Sequence, residues 1–326
     1  CWLVQWGPQP LWLQIIRGLR YAMPDLGARV LVRWLSELAP DVVHVNCLPH
    51  LRGAAAANDL GLPVVWHVRE MLPPGRRRRW FADRLRSHAG SIVAVSEAVA
   101  GWLREEGLGS RVVVIYNGVD PPTDLPDREE ERRRFGLPLG AIVVGLFGQL
   151  VAHKGGLDLV RAAHRAVAED DRLHFLIAGQ GPEPFKRELR REIASGPAAG
   201  HVQVVPPQTD IWGLLAAADL VALPTLWPDP LPRVVMEAMA AGKPVVAYEN
   251  GGVPEMVVDD ETGRLCRPGD VEDLTQVMIE LTRDETQRHR LGEVGRMRAR
   301  ELFGTQRHVA GIEKALDRAV RAAADR

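Results

Sequence analysis

The chain has 326 residues, of which 46% are hydrophobic, so it can form the cores of two domains. Its formal net charge of −1 argues against a nucleic-acid-binding protein, because no global positive field is present. No apolar run is long enough to span a membrane, and the three cysteines form no Cys-x-x-Cys pair, which argues against a metal site and suits a reducing compartment.

The first residues combine tryptophans with aliphatic side chains. We predict a strand from Cys1 to Gly7 and a helix from Leu11 to Tyr21. Packing against a core is the favoured interpretation of Trp2, Trp6 and Trp12, and an interfacial membrane face is the alternative. Because Cys1 to Gly7 lacks a basic start, we expect no signal peptide and a cytoplasmic protein.

Strands then alternate with helices, which predicts a parallel sheet. The strands are expected at 41–46, 63–68, 92–95 and 112–115, and the helices at 29–39, 48–60 and 75–86. Ser96 is predicted to cap the helix that follows the third strand. His67 lies near the carboxyl end of its strand, where open α/β sheets bind ligands, and His44 in mid-strand is assigned to the core.

The helix predicted at 75–86 contains R-R-R-R-W-F-A-D-R-L-R. A solvated helix face with a neutralising aspartate is the favoured interpretation. The alternative is contact with an anionic membrane, at the inner face, or with an acidic acceptor. Nucleic acid is disfavoured, since no second basic-aromatic patch is present.

Prolines and dense charge at 120–138 indicate a linker, which divides the chain into an N-terminal domain (1–120) and a C-terminal domain (121–304). Strands are predicted at 142–146, 174–178, 202–205, 220–223 and 245–247. Helices are predicted at 211–218, 271–283, 285–303 and 305–323, and we expect a last helix from about 305 to 326 to pack back onto the N-terminal domain.

The strand at 142–146 leads into F-G-Q-L-V-A-H-K-G-G and then a helix. A loop with glycines, Lys154 and a helix start together form an anion site. The order of residues is not that of a Walker loop, and a surface lysine is the alternative. The next turn, G-Q-G-P-E, carries Pro184 where a dinucleotide fingerprint needs a third glycine, which excludes a dehydrogenase of that type.

Two carboxylates, Asp229 and Glu237, flank the start of a helix that begins after Pro232. They are eight positions apart, which corresponds to about 10–12 Å along a helix. A retaining glycosidase needs about 5–5.5 Å, so this pair is too wide to act on one bond. The spacing suits the two ends of a sugar–diphosphate–nucleoside, with the diphosphate at the helix N-terminus. The alternative is a solvated pair.

The segment P-D-P-L-P-R-V-V-M-E-A-M-A-A-G-K-P-V-V-A resembles the signature E-x7-E of the family-4 retaining glycosyltransferases of the GT-B fold. Asp229 replaces the first Glu of that pattern, Pro232 replaces a Gly, and Gln149 stands where an Arg is usual. The resemblance covers roughly residues 40–326. Because its P-D-V-V-H segment comes considerably earlier here than in the family, we expect a shortened N-terminal domain.

The resemblance implies an α/β protein of the GT-B fold, with two Rossmann-like domains whose parallel sheets face each other across a cleft. It further implies catalytic roles for Asp229 at the sugar, for His67 beside the sugar from the N-terminal domain, and for Lys154 at the diphosphate. The donor-binding residues implied are Gly148, Gln149, Lys154, Gly181, Leu231, Arg233, Val234 and Glu237.

The implied activity is transfer of a hexose, with retention, from a UDP- or GDP-type nucleotide sugar to an unidentified glycan, lipid or small-molecule acceptor. The nucleotide sugar is a co-substrate, and the resemblance implies no cofactor and no obligatory metal. Two alternatives remain. One is a nucleotide-sugar-binding protein with impaired catalysis, which the shortened domain, Asp229 and Gln149 motivate. The other is a GT-B epimerase or phosphorylase.

Overall fold

The computed structural model describes residues 26–325, and these form two α/β units. The N-terminal unit comprises residues 26–115 and 309–325, and the C-terminal unit comprises residues 116–308. The division falls a few residues before the boundary that the sequence placed after 120. The predictions for Trp2, Trp6 and Trp12, and for the elements around them, lie outside the described residues.

Among the described residues, the N-terminal unit contains a four-stranded parallel sheet whose strands are paired in sequence order. The strands are β1 (Val43–Asn46), β2 (Val64–Val68), β3 (Ser91–Ala94) and β4 (Val112–Val114). The helices are α1 (Leu26–Leu38), α2 (Leu51–Asp59), α3 (Arg76–His88) and α4 (Glu97–Glu105). Ser96 caps α4 as predicted, since its Oγ accepts a hydrogen bond from the Val99 N–H at 3.2 Å.

The last helix of the chain, α13 (Thr305–Ala324), begins in the C-terminal unit and continues into the N-terminal unit. There Ala315 and Ala319 pack against Val65, Val93 and Ile115. These two small side chains allow the helix backbone to approach the sheet closely, so the end of the chain contributes to the core of the N-terminal unit.

The C-terminal unit contains a six-stranded parallel sheet with the order β10-β9-β8-β5-β6-β7. The strands are β5 (Ile142–Phe147), β6 (Leu173–Ala178), β7 (Val202–Val205), β8 (Leu220–Leu223), β9 (Val245–Tyr248) and β10 (Gly263–Cys266). The helices are α5 (Arg128–Arg134), α6 (Gly156–Glu169), α7 (Glu183–Ala194), α8 (Ile211–Ala217), α9 (Arg233–Ala240), α10 (Val253–Met256), α11 (Val271–Arg283) and α12 (Glu285–Phe303).

The central strands of this sheet are buried on both faces, as their continuous apolar runs predict. Every residue of β5, β8 and β9 is buried. Two units with parallel sheets confirm the predicted α/β class. No helix within residues 26–325 combines the length and the apolar character that crossing a bilayer requires.

Two interpretations of the N-terminal unit change with the structure. The assignment of His44 to the core is wrong, because β1 is the edge strand among the described residues and His44 is exposed. On α3, Arg78 is not part of a solvated face. It is buried and paired with Glu105 at 2.8 Å and Glu106 at 2.7 Å. The suggested membrane contact of the remaining arginines stays a prediction.

A buried charge network holds the amino ends of β5 and β8. Arg132 is fully buried, and its guanidinium donates to the Ala217 carbonyl at 3.0 Å and to Asp219 at 2.6 Å. Asp219 also accepts from the Val143 N–H at 2.7 Å. Lys243 lies nearby and donates to the Ala218 carbonyl at 2.7 Å. Burial lowers the pKa of Lys243 from its ordinary value of 10.5 to about 8.

This pKa predicts a pH-dependent stability that a Lys243→Met variant lacks. Between the folded and the unfolded pKa, only the unfolded chain binds the proton, so the free energy of unfolding rises with pH. We expect the wild type to gain about 3 kcal/mol relative to Lys243→Met as the pH rises from about 8 to 10.5.

Urea unfolding of both proteins at several pH values in this window measures the difference. Lys314→Met, which removes an exposed lysine of α13, is the matched control and should follow the wild type. Parallel curves for wild type and Lys243→Met would contradict the lowered pKa.

Candidate functional site

The candidate site lies at the carboxyl edge of the six-stranded sheet, where β5 and β8 are neighbours. The chain runs outward from β5 through β6 and β7, and then returns to β8 on the other side of β5. At such a switch point the connections leave in opposite directions and open a crevice beyond the strand ends. The loops 148–155 and 224–232 flank this crevice.

A lysine and an aspartate meet across the switch point. Lys154 ends a short 3-10 turn, Ala152–Lys154, after β5, and Asp229 lies in the loop after β8. The Lys154 ammonium donates to the Asp229 carboxylate at 2.5 Å. Their side chains are 25% and 15% exposed, so a ligand can reach both. The structure thus places in direct contact two residues that the sequence assigned to the diphosphate and to the sugar.

The two loops are fixed against each other by backbone contacts. Gly155 has a φ of 74°, and a Cβ at this position would come within 1.8 Å of the Pro224 carbonyl oxygen. The His153 carbonyl accepts from the Leu226 N–H at 2.8 Å and from the Thr225 hydroxyl at 3.2 Å. The position of Lys154 therefore depends on Gly155, because any larger residue at 155 would push the two loops apart.

Among the described residues, three helices of eight or more residues that start at this edge have no side-chain cap. The N-cap residues of α6, α7 and α9 are Gly155, Pro182 and Pro232, and none of them accepts a capping hydrogen bond among the described residues. Four other helices of the unit begin with an aspartate cap: Asp127, Asp210, Asp270 and Asp284. Within residues 26–325, no group outside the helices accepts from the N–H groups of Gly156 and Leu157 in α6, of Glu183 in α7, or of Arg233 and Val234 in α9. These N–H groups are available to a ligand, and the helix dipole favours an anionic one.

Glu237 lies on α9 and is only 7% exposed. Burial raises the pKa of its carboxyl group, while Arg233 opposes this shift by donating to Oε1 at 2.7 Å. The Arg233 side chain is 76% exposed, so this pair adds little stability and a ligand can replace it. At the same helix start, Leu231 is buried and Val234 is half-buried.

The remaining predicted donor residues lie in the loops after β5 and β6. Gly148 and Gln149 are exposed. Leu150 donates to the Gln180 carbonyl at 2.8 Å, and a Cβ at Gly181 would come within 1.9 Å of the Leu150 carbonyl oxygen. The two loops therefore pack closely, which places Gln149 and Gly181 at one edge of the sheet.

His67 belongs to the N-terminal unit, where it lies within β2 and is 4% exposed. Its ring stacks on that of His44 at a centroid distance of 5.6 Å. The role of His67 beside the sugar stays a prediction.

The sequence analysis missed Glu70, which follows β2. It is buried, burial raises its pKa, and both its oxygens accept from the Leu48 N–H at 3.2 Å. The signal in the sequence was the pair of charged residues, Arg69 and Glu70, directly after a predicted buried strand.

A second feature that the sequence analysis missed is an aromatic pair beside Lys154. The rings of His153 and Trp227 stack at 4.7 Å with an interplanar angle of 16°. Trp227 is 40% exposed. Burial, assisted by the neighbouring Lys154, lowers the pKa of His153. A tryptophan in a loop rich in prolines, two positions before Asp229, was a visible signal for a ligand-facing surface.

Comparison with known proteins finds two family models in the chain. Residues 127–298 match the model described as Glycosyl transferases group 1, and residues 9–122 match the model described as Glycosyltransferase Family 4. The first match alone covers more than half of the 326 residues. It includes every candidate residue of the C-terminal unit.

Two curated relatives differ in how much of them the chain spans. D-inositol 3-phosphate glycosyltransferase of Corynebacterium aurimucosum is 33% identical over 194 residues, which are 56% of this chain and 45% of that protein. MMP alpha-(1->4)-mannosyltransferase of Mycolicibacterium hassiacum is 29% identical over 306 residues, which are 85% of this chain and 71% of that protein. The chain thus spans less than half the length of the first relative.

Among solved structures, that of Anabaena Alr3699/HepE in complex with UDP and glucose superposes with a TM-score of 0.82. The two sequences are 26% identical, and the superposition covers 89% of this chain and 80% of the Anabaena protein. The architecture of both units therefore recurs in a known structure.

The contact between Gly155 and Pro224 predicts a large cost for Gly155→Ala. The new methyl group would meet the Pro224 carbonyl oxygen in addition to adopting an unfavourable positive φ, so we expect a loss of roughly 2–4 kcal/mol in the free energy of unfolding.

Gly136→Ala is the matched control, since Gly136 has a φ of 68° but nothing within 4 Å of its Cβ position. It should cost only about 1 kcal/mol, from backbone strain alone. Chemical denaturation measures both variants, and equal losses would show that the loop contact contributes nothing.

Proposed function

The chain belongs to the glycosyl transferases group 1 family and has the GT-B fold, and we propose that it is a retaining glycosyltransferase that moves a hexose from a nucleoside-diphosphate sugar to an acceptor hydroxyl. One observation carries the proposal. Lys154 lies at the switch point of the C-terminal sheet, at the uncapped start of α6 and across from the loop that leads to the uncapped α9.

The site is suited to stabilise a departing diphosphate. Negative charge grows on the leaving group as its bond to the sugar breaks. The helix starts supply N–H groups and positive dipole ends, and Lys154 adds a formal charge. Gln149 is exposed at the same edge and provides a further hydrogen-bond donor.

Glu237 is proposed to hold the ribose of the donor. Its carboxylate is largely desolvated, and among the described residues its one ion pair is with the exposed Arg233, so ribose hydroxyls would gain a strong acceptor. Asp229 is proposed to orient the hexose. As the family resemblance implies, the acceptor hydroxyl would attack the face from which the diphosphate leaves, without a protein nucleophile or a metal.

The comparisons support the donor class. The Anabaena structure contains UDP and glucose, and the relatives from Corynebacterium and Mycolicibacterium are named as a glycosyltransferase and a mannosyltransferase. We therefore propose a nucleotide sugar as donor and a glycan, lipid or small molecule as acceptor.

A non-catalytic nucleotide-sugar-binding protein is the rival from a different class. Asp229 in place of Glu and Gln149 in place of Arg motivate it. A GT-B epimerase or phosphorylase would use the same site for different chemistry. Release of nucleoside diphosphate separates transfer from epimerisation, and donor binding without turnover identifies the non-catalytic protein.

Lys154→Ala tests the diphosphate site. In a thermal-shift screen of UDP-, GDP-, ADP- and dTDP-sugars, a donor at about 100 times its Kd should add roughly 2.7 kcal/mol to the stability of the wild type. We expect a shift with at least one nucleotide, and we expect Lys154→Ala to lose it. The control Lys314→Ala removes an exposed lysine of α13 and should keep it. A shift that survives in Lys154→Ala would reject this diphosphate site.

Glu237→Gln tests the ribose site. The variant removes a charged hydrogen-bond acceptor, worth about 1.5–3 kcal/mol, so donor affinity should fall roughly ten- to hundredfold. Isothermal titration with the donor identified in the screen measures this loss. A variant that loses activity while it binds the donor with unchanged affinity would contradict the ribose assignment.

A further inference from the structure

The cation of the proposed donor site is already paired with a carboxylate of the same site. Among residues 26–325, Asp229 is the one group that accepts a hydrogen bond from the Lys154 ammonium, at 2.5 Å. The same interaction is the one ion pair of the Asp229 side chain within these residues. An incoming diphosphate therefore meets a lysine whose charge is partly neutralised.

The two partners differ in their freedom to move. The backbone at Asp229 is clamped by the loop after β9. The Gly252 N–H donates to the Asp229 carbonyl at 2.8 Å, and a Cβ at Gly251 would come within 2.3 Å of the same oxygen. The aspartate side chain is short, so its carboxylate has little reach. Lys154 has a four-carbon stem with several rotatable bonds, so its ammonium is the group that can turn away.

Aspartate at position 229 is shorter than the glutamate of the family pattern, and its carboxylate contacts the Lys154 ammonium. Lys154 follows β5, the strand that neighbours β8. The pair is partly shielded from solvent, with 25% and 15% of the side chains exposed, so each charge depends on the other while the site is empty. A diphosphate carries more charge than a carboxylate and can take over the ammonium.

We propose that Asp229 holds Lys154 in the empty site, and that the diphosphate of the donor displaces this carboxylate from the ammonium. Asp229 is then released to accept a hydroxyl of the hexose. Diphosphate binding and preparation of the sugar site become one event, because a single exchange of partners at Lys154 accomplishes both. This inference rests on the proposed function and adds a positioning role for Asp229 to it.

Asp229→Asn tests the exchange, because the amide is isosteric and keeps the backbone bond to Gly252. The probes are inorganic pyrophosphate, UDP, GDP and ADP, titrated by calorimetry. We expect the Kd of the bound probes to fall roughly three- to tenfold in Asp229→Asn, since no carboxylate then competes for Lys154. If the Asn variant does not fold, as its melting curve would reveal, Asp229→Ala takes its place in the same comparison.

A double-mutant cycle separates exchange from plain charge repulsion. In the Lys154→Met background, where we expect pyrophosphate binding to be weak or undetectable, Asp229→Asn should not strengthen it. Glu249→Gln is the matched control, because Glu249 is exposed directly after β9, at the same edge of the sheet. It removes one negative charge without touching Lys154, and its effect should be less than twofold. An equal gain in the Lys154→Met background or in Glu249→Gln overturns the inference, as does weaker binding in Asp229→Asn.

Kinetics provide a readout that a purely structural role would not produce. In a transfer assay, Asp229→Asn should lower the KM for the donor and also lower kcat, because the donor enters more easily but the hexose loses its carboxylate. A rise in KM overturns the exchange.

The two proposals fail in different ways. If pyrophosphate binds with the expected coupling but none of the nucleotides does, the exchange stands and the proposed transferase function falls. If neither pyrophosphate nor any nucleotide binds to the wild type or to Asp229→Asn, the exchange is overturned.

Discussion

The contact between Lys154 and Asp229 depends on the pairing of β5 with β8. The two residues are 75 positions apart in the chain, yet their side chains meet at 2.5 Å. Three strands and their helices separate them in sequence. They meet because the chain completes one half of the sheet before it returns to the other side of β5. All strands are parallel, so the loops after β5 and β8 emerge at the same edge.

The loops at this edge are held in place by backbone packing, so their positions do not depend on the side chains that would contact a ligand. Gly155, Gly181 and Gly251 each bring one loop so close to another that a Cβ would overlap a main-chain oxygen. Fixing these loops reduces the conformational entropy of the folded protein. In return, the loops need not rearrange when charge develops during a reaction. The freedom that remains belongs to the longer side chains, above all to Lys154.

The opposite edge of the same sheet shows how a permanent charge pair differs from a replaceable one. Arg132 is fully buried, and its guanidinium binds both Asp219 and main-chain carbonyls. No ligand can compete there, since removing either partner would leave a buried charge uncompensated. Within residues 26–325, Lys154 has one acceptor for its ammonium, the Asp229 carboxylate, and its side chain is 25% exposed. The amino ends of β5 and β8 are thus held by a structural network, whereas their carboxyl ends meet at a partly exposed pair that we propose the donor separates.

The sequence by itself determined the elements and most of the candidate residues. Apolar runs predicted Leu220–Leu223 and Val202–Val205 as strands, and a motif resemblance selected Lys154, Asp229 and Glu237. These features are local, because side-chain periodicity, prolines and glycines act within a few residues. Only the tertiary structure decided which strand lies at an edge, and therefore that His44 is exposed, and only it joined Lys154 to Asp229. Burial and ion pairing depend on contacts between distant segments, and these follow from the order of the strands, which no local pattern contains.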